Sequence, residues 1–202
     1  MALLGDVVYV VCADSSVIEM YSADTLSPLR VGIHVNGMSH PSDIVACCHD
    51  RQLYVVDFDC CIWQVSADDH SSYRKWLPTD PTDTFDTAVY TLSLRSRHLL
   101  VTLEPRHIHQ YNTDDRRLLR DIELPCYVKF ILHAVETTRG TFVVCHEGTL
   151  HDQEQYAVSV LLFVICPIAI AYSMGQIIKS VCVCVCVCVC LSVCEHSHGR
   201  IS

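Results

Sequence analysis

The chain has 202 residues, half of them hydrophobic and 18% charged, which excludes a wholly disordered protein. Its net charge of −9 argues against a general nucleic-acid-binding surface, and seven glycines with seven prolines are too few for a collagenous or linker-like chain. The averages conceal two regimes. Residues 1–155 hold 22 of the 23 acidic and 12 of the 14 basic residues, whereas the remaining 47 carry only Lys179, Glu195 and Arg200.

In the first regime four short apolar runs recur: VVYVV from Val7, LYVVD from Leu53, LLVTL from Leu99 and FVVCH from Phe142. Their starts are 46, 46 and 43 residues apart. A second run follows each of the first three, as IEMYSADT from Ile18, IWQVSADD from Ile62 and IHQYNTDD from Ile108. Each has Ile, a hydrophobic residue three positions on (Tyr21, Val65, Tyr111) and Asp three further (Asp24, Asp68, Asp114). That Asp is expected to begin a turn by accepting from the backbone two residues on.

Two further runs complete the unit. DIVACC from Asp43, AVYTLSL from Ala88 and KFILHAV from Lys129 precede the central run, while LRVGIHV from Leu29, YRKWLP from Tyr73 and LLRDIELP from Leu118 follow the turn. Four short strands in about 45 residues, with no sustained 3.6-residue period, predict an all-β chain built of propeller blades. The units fall near 1–39, 40–85, 86–126 and 127–155. The first lacks an opening strand in this reading, and the fourth breaks after FVVCHEG. The expected fold is therefore an incomplete β-propeller of about three four-stranded blades. Closed rings use about four to eight blades, so an incomplete gene product is expected. Trp63 and Trp76 are expected to be buried between neighbouring blades.

Residues 156–178 form a hydrophobic segment interrupted early only by Ser159 and Pro167, a candidate transmembrane helix by length. The first residues, MALLGDVVYVV, have neither the basic start nor the cleavage pattern of a signal peptide. Residues 179–202 contain five consecutive Val-Cys pairs from Val181, followed by LSVC. As a strand this would have no polar face. Alternating GTG and TGT codons of a dinucleotide repeat encode the same pattern, so this low-complexity tail is expected to be non-native.

The best-defined unit reads Pro41-Ser42-Asp43-Ile44, then Leu53-Tyr54-Val55-Val56-Asp57, then Ile62-Trp63-Gln64-Val65. These blocks resemble the Pro-x-Asp-Ile, Leu-Tyr-Val-Ala-Asp and Arg-Ile-x-Val blocks of NHL-type propeller repeats, and in particular the divergent NHL-like repeat proteins abundant in invertebrates. The third unit departs from them, with Thr102 and Glu104 where Asp would be expected. The resemblance covers about 150 residues. It implies a six-bladed disc that binds proteins, and in some members RNA, on one face.

Few residues invite chemistry. Adjacent cysteines on a strand face opposite sides, so Cys47-Cys48 (with His49 alongside) and Cys60-Cys61 are read as one buried and one turn-facing thiol per pair rather than metal ligands. His107 and His109 share one strand face and are expected to be exposed, with no visible partner for a zinc ion. Asp43, Asp57 and Asp59 are the residues that a lactonase-like metal enzyme would place in the channel, but acidic residues at blade turns are ordinarily turn formers. Arg116, Arg117 and Arg120 are offset by Asp114, Asp115 and Asp121. There is no Gly-rich phosphate loop, HExxH or GxSxG.

The expectation is thus a non-enzymatic protein-interaction scaffold in the cytoplasm, without catalytic, cofactor-binding or metal-binding residues and without cofactors. Its protein partners are undefined, and neither nucleic acid nor a small-molecule substrate is expected. The alternatives are a single-pass membrane-anchored protein spanning at 156–178, and a fragment of a lactonase-like metal-dependent propeller enzyme.

Overall fold

The computed structural model describes residues 1–58, 61–78, 88–104, 106–126, 128–150 and 153–161. The low-complexity tail 179–202 and residues 162–178 of the hydrophobic segment lie outside them. Among the described residues fifteen strands form four antiparallel sheets in chain order. The first contains β1 (Ala2–Leu4), β2 (Val7–Val11), β3 (Val17–Ser22) and β4 (Ile33–His34). The second contains β5 (Pro41–Cys47), β6 (Gln52–Asp57), β7 (Cys61–Ser66) and β8 (Tyr73–Leu77). The third contains β9 (Val89–Arg95), β10 (His98–Leu103), β11 (His107–Asn112) and β12 (Leu118–Glu123). The fourth contains β13 (Val128–Glu136), β14 (Phe142–Leu150) and β15 (Gln153–Leu161).

Two details correct the sequence reading. The first unit does have an opening strand: Ala2–Leu4 pairs antiparallel with Val7–Tyr9. A three-residue strand carries too little alternation to register as a pattern. Residues 156–161, read as the start of a helix, are instead strand and pair with Phe142–Glu147 of β14. An apolar run rich in Val and Leu suits either state, and the neighbouring strand decides. Among the described residues no helix is long and apolar enough to cross a membrane.

The four inner strands pack side by side in chain order, β1 on β5, β5 on β9 and β9 on β13. Among the described residues β13 and β1 share no comparable packing, so the sheets form an open arc. Three apolar layers separate consecutive sheets. Tyr9, Ile18, Met20 and Ile33 meet Ile44, Leu53, Val55 and Trp63 in the first layer. Tyr54, Val56, Ile62 and Trp76 meet Val89, Leu92, Leu99 and Val101 in the second. Leu100, Ile108 and Ile122 meet Val128, Ile131, Phe142 and Val144 in the third.

This layering explains the continuous apolar run of β6. Successive side chains point to opposite faces, so Leu53 and Val55 enter the first layer while Tyr54 and Val56 enter the second. The repeated isoleucine has the same fate in each unit: Ile18, Ile62 and Ile108 are all 0% exposed. The inner hairpins also repeat one backbone feature. Gly5, Arg51, Ser96 and Gly140 each take a positive φ at the turn, a conformation that costs a non-glycine residue about 1–2 kcal/mol.

Trp63 and Trp76 are both buried between blades, as expected, and they lie in different layers. Trp76 is 0% exposed and edge-on to Tyr54 and to Tyr111 of the next sheet, at centroid distances of 5.1 and 5.9 Å. A bulge makes this possible. Trp63 pairs with Lys75 but Ile62 with Leu77, so Trp76 is the extra residue, and it and Leu77 are buried in succession. Trp76→Ala is expected to cost about 3–5 kcal/mol, read from the urea midpoint of the full chain by circular dichroism. A loss below about 1 kcal/mol, within the range of an ordinary surface change, would show that the aromatic stack does not hold these sheets together.

Candidate functional site

The inner strands face a hollow of about 360 Å³ whose lining includes Ala2 and Leu3 of the first sheet, Asp43 and Val45 of the second, Ser93 of the third and His133 of the fourth. All four sheets contribute to it. Leu3, Phe130 and Leu132, also on inner strands, are exposed.

The carboxylates nearest a channel role are engaged in holding backbone. Asp57 is 0% exposed. Its Oδ2 accepts from the Ser39 amide at 2.9 Å and from Trp63 Nε1 at 3.3 Å, and its Oδ1 accepts from the His40 amide at 2.9 Å. Asp57 therefore fixes the link between the first and second sheets. Asp43 Oδ2 accepts from the Leu92 amide of the next sheet at 2.8 Å, and its Oδ1 from the Ile44 amide at 2.9 Å. Asp59 lies outside the described residues. In the third sheet Leu103 occupies the register position of Asp57, and Thr102 takes the polar role by accepting from the Thr91 amide at 3.0 Å.

The repeated turn aspartates act differently from the sequence expectation. The residue before the turn caps it: Asn112 Oδ1 accepts from the Asp114 amide at 2.8 Å, and Ser66 Oγ from the Asp68 amide at 3.3 Å. The next residue makes the two-residue reach, as Asp69 does to the Ser71 amide and Asp115 to the Arg117 amide. Asp68 and Asp114 are left to pair with Arg51 and Arg97 on the inner hairpins.

Cys47 is buried and Cys48 exposed. Cys61 is buried, and Cys60 lies outside the described residues. The basic cluster is dispersed: Arg120 sits with Cζ 6.0 Å from the Phe142 ring centroid, and Asp121 contacts two histidines rather than an arginine.

Those histidines are half-buried rather than fully exposed, and they have the partner that the sequence did not reveal. His109 pairs in register with Asp121 across β11 and β12, and His107 with Glu123. Asp121 Oδ1 lies 3.0 Å from His107 Nδ1 and 3.4 Å from His109 Nε2. The other ring nitrogen of His109, Nδ1, is 3.1 Å from Tyr111 Oη. Burial lowers the pKa of His109 against the attraction of Asp121, favouring neutral imidazole. The hydrogen bond from His107, with attraction to either ring when it is protonated, holds Asp121 below the usual carboxylate range. Burial pushes the Tyr111 hydroxyl up to about 12, so it stays protonated.

No family model matches the sequence, and no curated protein matches it. The architecture is nevertheless similar to a solved one, the β-propeller domain of Swd1 from Myceliophteria thermophila. The TM-score is 0.52 at 11% identity, covering 78% of this chain and 62% of that domain. The fold is a β-propeller. Its sheets are blades, three of them four-stranded, and the chain spans less than two thirds of the Swd1 domain.

The blade link at Asp57 is open to a direct test. Asp57→Asn keeps the shape but turns a donor toward backbone amides, and should cost about 1.5–3 kcal/mol in chemical denaturation. Asp68→Asn at the exposed Arg51 pair should cost under about 1 kcal/mol. Equal losses would show that Asp57 is no more than a surface residue.

Proposed function

We propose that this propeller is a non-enzymatic protein-binding scaffold of the NHL-like kind, whose binding surface is the hollow bordered by the inner strands. The observation that carries the proposal is the meeting at that hollow of residues from all four blades, among them a carboxylate, Asp43, already committed to backbone amides. Asp43 and Asp57 each accept at least two hydrogen bonds from the chain, which fits a positioning role better than metal-dependent hydrolysis. The NHL likeness has support in the same residues: the Pro41 and Asp57 blocks pair across β5 and β6, where Asp57 secures the entry to its blade. Cytoplasmic residence belongs to the proposal, consistent with free thiols at Cys12, Cys47, Cys48, Cys126 and Cys145. Further blades, from a longer transcript or another polypeptide, would complete the arc.

Panning a displayed peptide library on the full chain tests the reading. Enriched peptides should lose at least about tenfold in affinity, or 1.4 kcal/mol, on Ser93→Arg or His133→Glu at the hollow. They should be unaffected by Leu118→Glu on the outer strand β12. Peptides that ignore the hollow variants would overturn the assigned surface. Lactone hydrolysis abolished by Asp43→Asn in a chain of unchanged stability would overturn the non-enzymatic reading.

A further inference from the structure

We infer that His107, His109 and Asp121 form a binding site for a first-row divalent metal ion of the zinc class, on the outer half of the third blade. Nothing in the scaffold reading requires it.

The three side chains each offer one ligand atom, and these atoms lie within 4.8 Å of one another. Zinc binds nitrogen and carboxylate oxygen at about 2.0–2.2 Å with tetrahedral geometry, which sets donors roughly 3.3 Å apart. The separations from Asp121 Oδ1, 3.0 and 3.4 Å, bracket that value. Two imidazoles and one carboxylate suit zinc, copper or nickel, whereas calcium and magnesium prefer all-oxygen shells. Three protein donors on a partly exposed face leave the fourth position to water or to a partner's side chain.

The surroundings favour a metal as well. A ligating histidine ordinarily donates its second ring N–H to a fixed acceptor, which orients the ring and selects the tautomer. Tyr111 Oη stands at that position on His109 Nδ1, and the tautomer that donates from Nδ1 directs its Nε2 lone pair toward Asp121. The Tyr111 ring is itself anchored edge-on against Trp76, so the orienting group belongs to the interblade core. Arg106, on the turn leading into β11, is paired with Glu123 at 3.3 Å, whereas the contacts of Asp121 are to the two histidines. Both histidines lie on one strand, and the pairing with β12 fixes Asp121 opposite them.

The test is a Co²⁺ titration of the full chain with its thiols alkylated, since 14 cysteines would otherwise compete. Visible d–d absorption typical of a tetrahedral nitrogen–oxygen centre should saturate at one ion per chain, and Zn²⁺ should displace the Co²⁺. His109→Ala or Asp121→Asn should abolish the absorption. Tyr111→Phe, which retains the ring against Trp76, should weaken binding by about 10–100-fold. Tryptophan emission monitors blade integrity in each variant, and Asp121→Asn serves as the shape-conserving change should His109→Ala unfold. Binding that is unchanged in Asp121→Asn, or a parent chain that develops no tetrahedral absorption, would overturn the inference.

Discussion

A β-sheet has two faces, and a four-stranded sheet of this size cannot cover either of them alone. Every other feature of this molecule answers that constraint. In the two middle blades the central strands β6 and β10 are buried along nearly their whole length, because a neighbour lies on each side. In the end blades the pattern halves: β2 buries only Tyr9, and β14 alternates from Phe142, with Phe142 and Val144 buried and Val143 between them half-exposed. Full burial of an aliphatic side chain contributes about 1.5–3 kcal/mol. The apolar layers are therefore the main cohesion of the arc, and each exists only where two blades meet.

Polar groups determine where the blades sit within that cohesion. Hydrophobic layers are non-directional, whereas the Asp57 carboxylate specifies how the chain enters the second blade, and Asp43 specifies how the second blade's inner strand meets the third. At the next junction Arg95 donates to the Thr137 carbonyl and Gln110 to Glu136, whose side chain is largely covered and also contacts His98. These ties lie on different residue types in successive units. A repeat can preserve its geometry while exchanging the side chains that enforce it, as Thr102 does for the carboxylate position.

Strand irregularities supply the remaining specificity. The bulge in β8 turns Trp76 inward, giving the second and third blades a shared aromatic stack. The bulge at Gln110 and Tyr111 sets the pairing of β11 with β12 one residue away from what the turn alone would dictate. Without it, Asp121 would face away from His107 and His109, because a one-residue slip exchanges the two faces of a strand. A single inserted residue thus separates a scattered set of charges from a convergent one.

Much of the architecture was legible in the sequence. The 46-residue spacing of the apolar runs, the repeated isoleucine and the continuous LYVV run determined the all-β class, the blades and the burial of both tryptophans, because side-chain alternation and periodic spacing are local properties. Short or ambiguous segments were not legible: Ala2–Leu4 is too brief to show a period, and residues 156–161 suit a helix until β14 pairs with them. Nor was the convergence of His107 and His109 with Asp121, since it depends on a bulge that no local pattern announces. Local periodicity specifies which residues become strands and which faces turn inward. Tertiary structure decided which side chains meet across those strands, because register depends on hydrogen bonds and packing formed only once the blades are assembled.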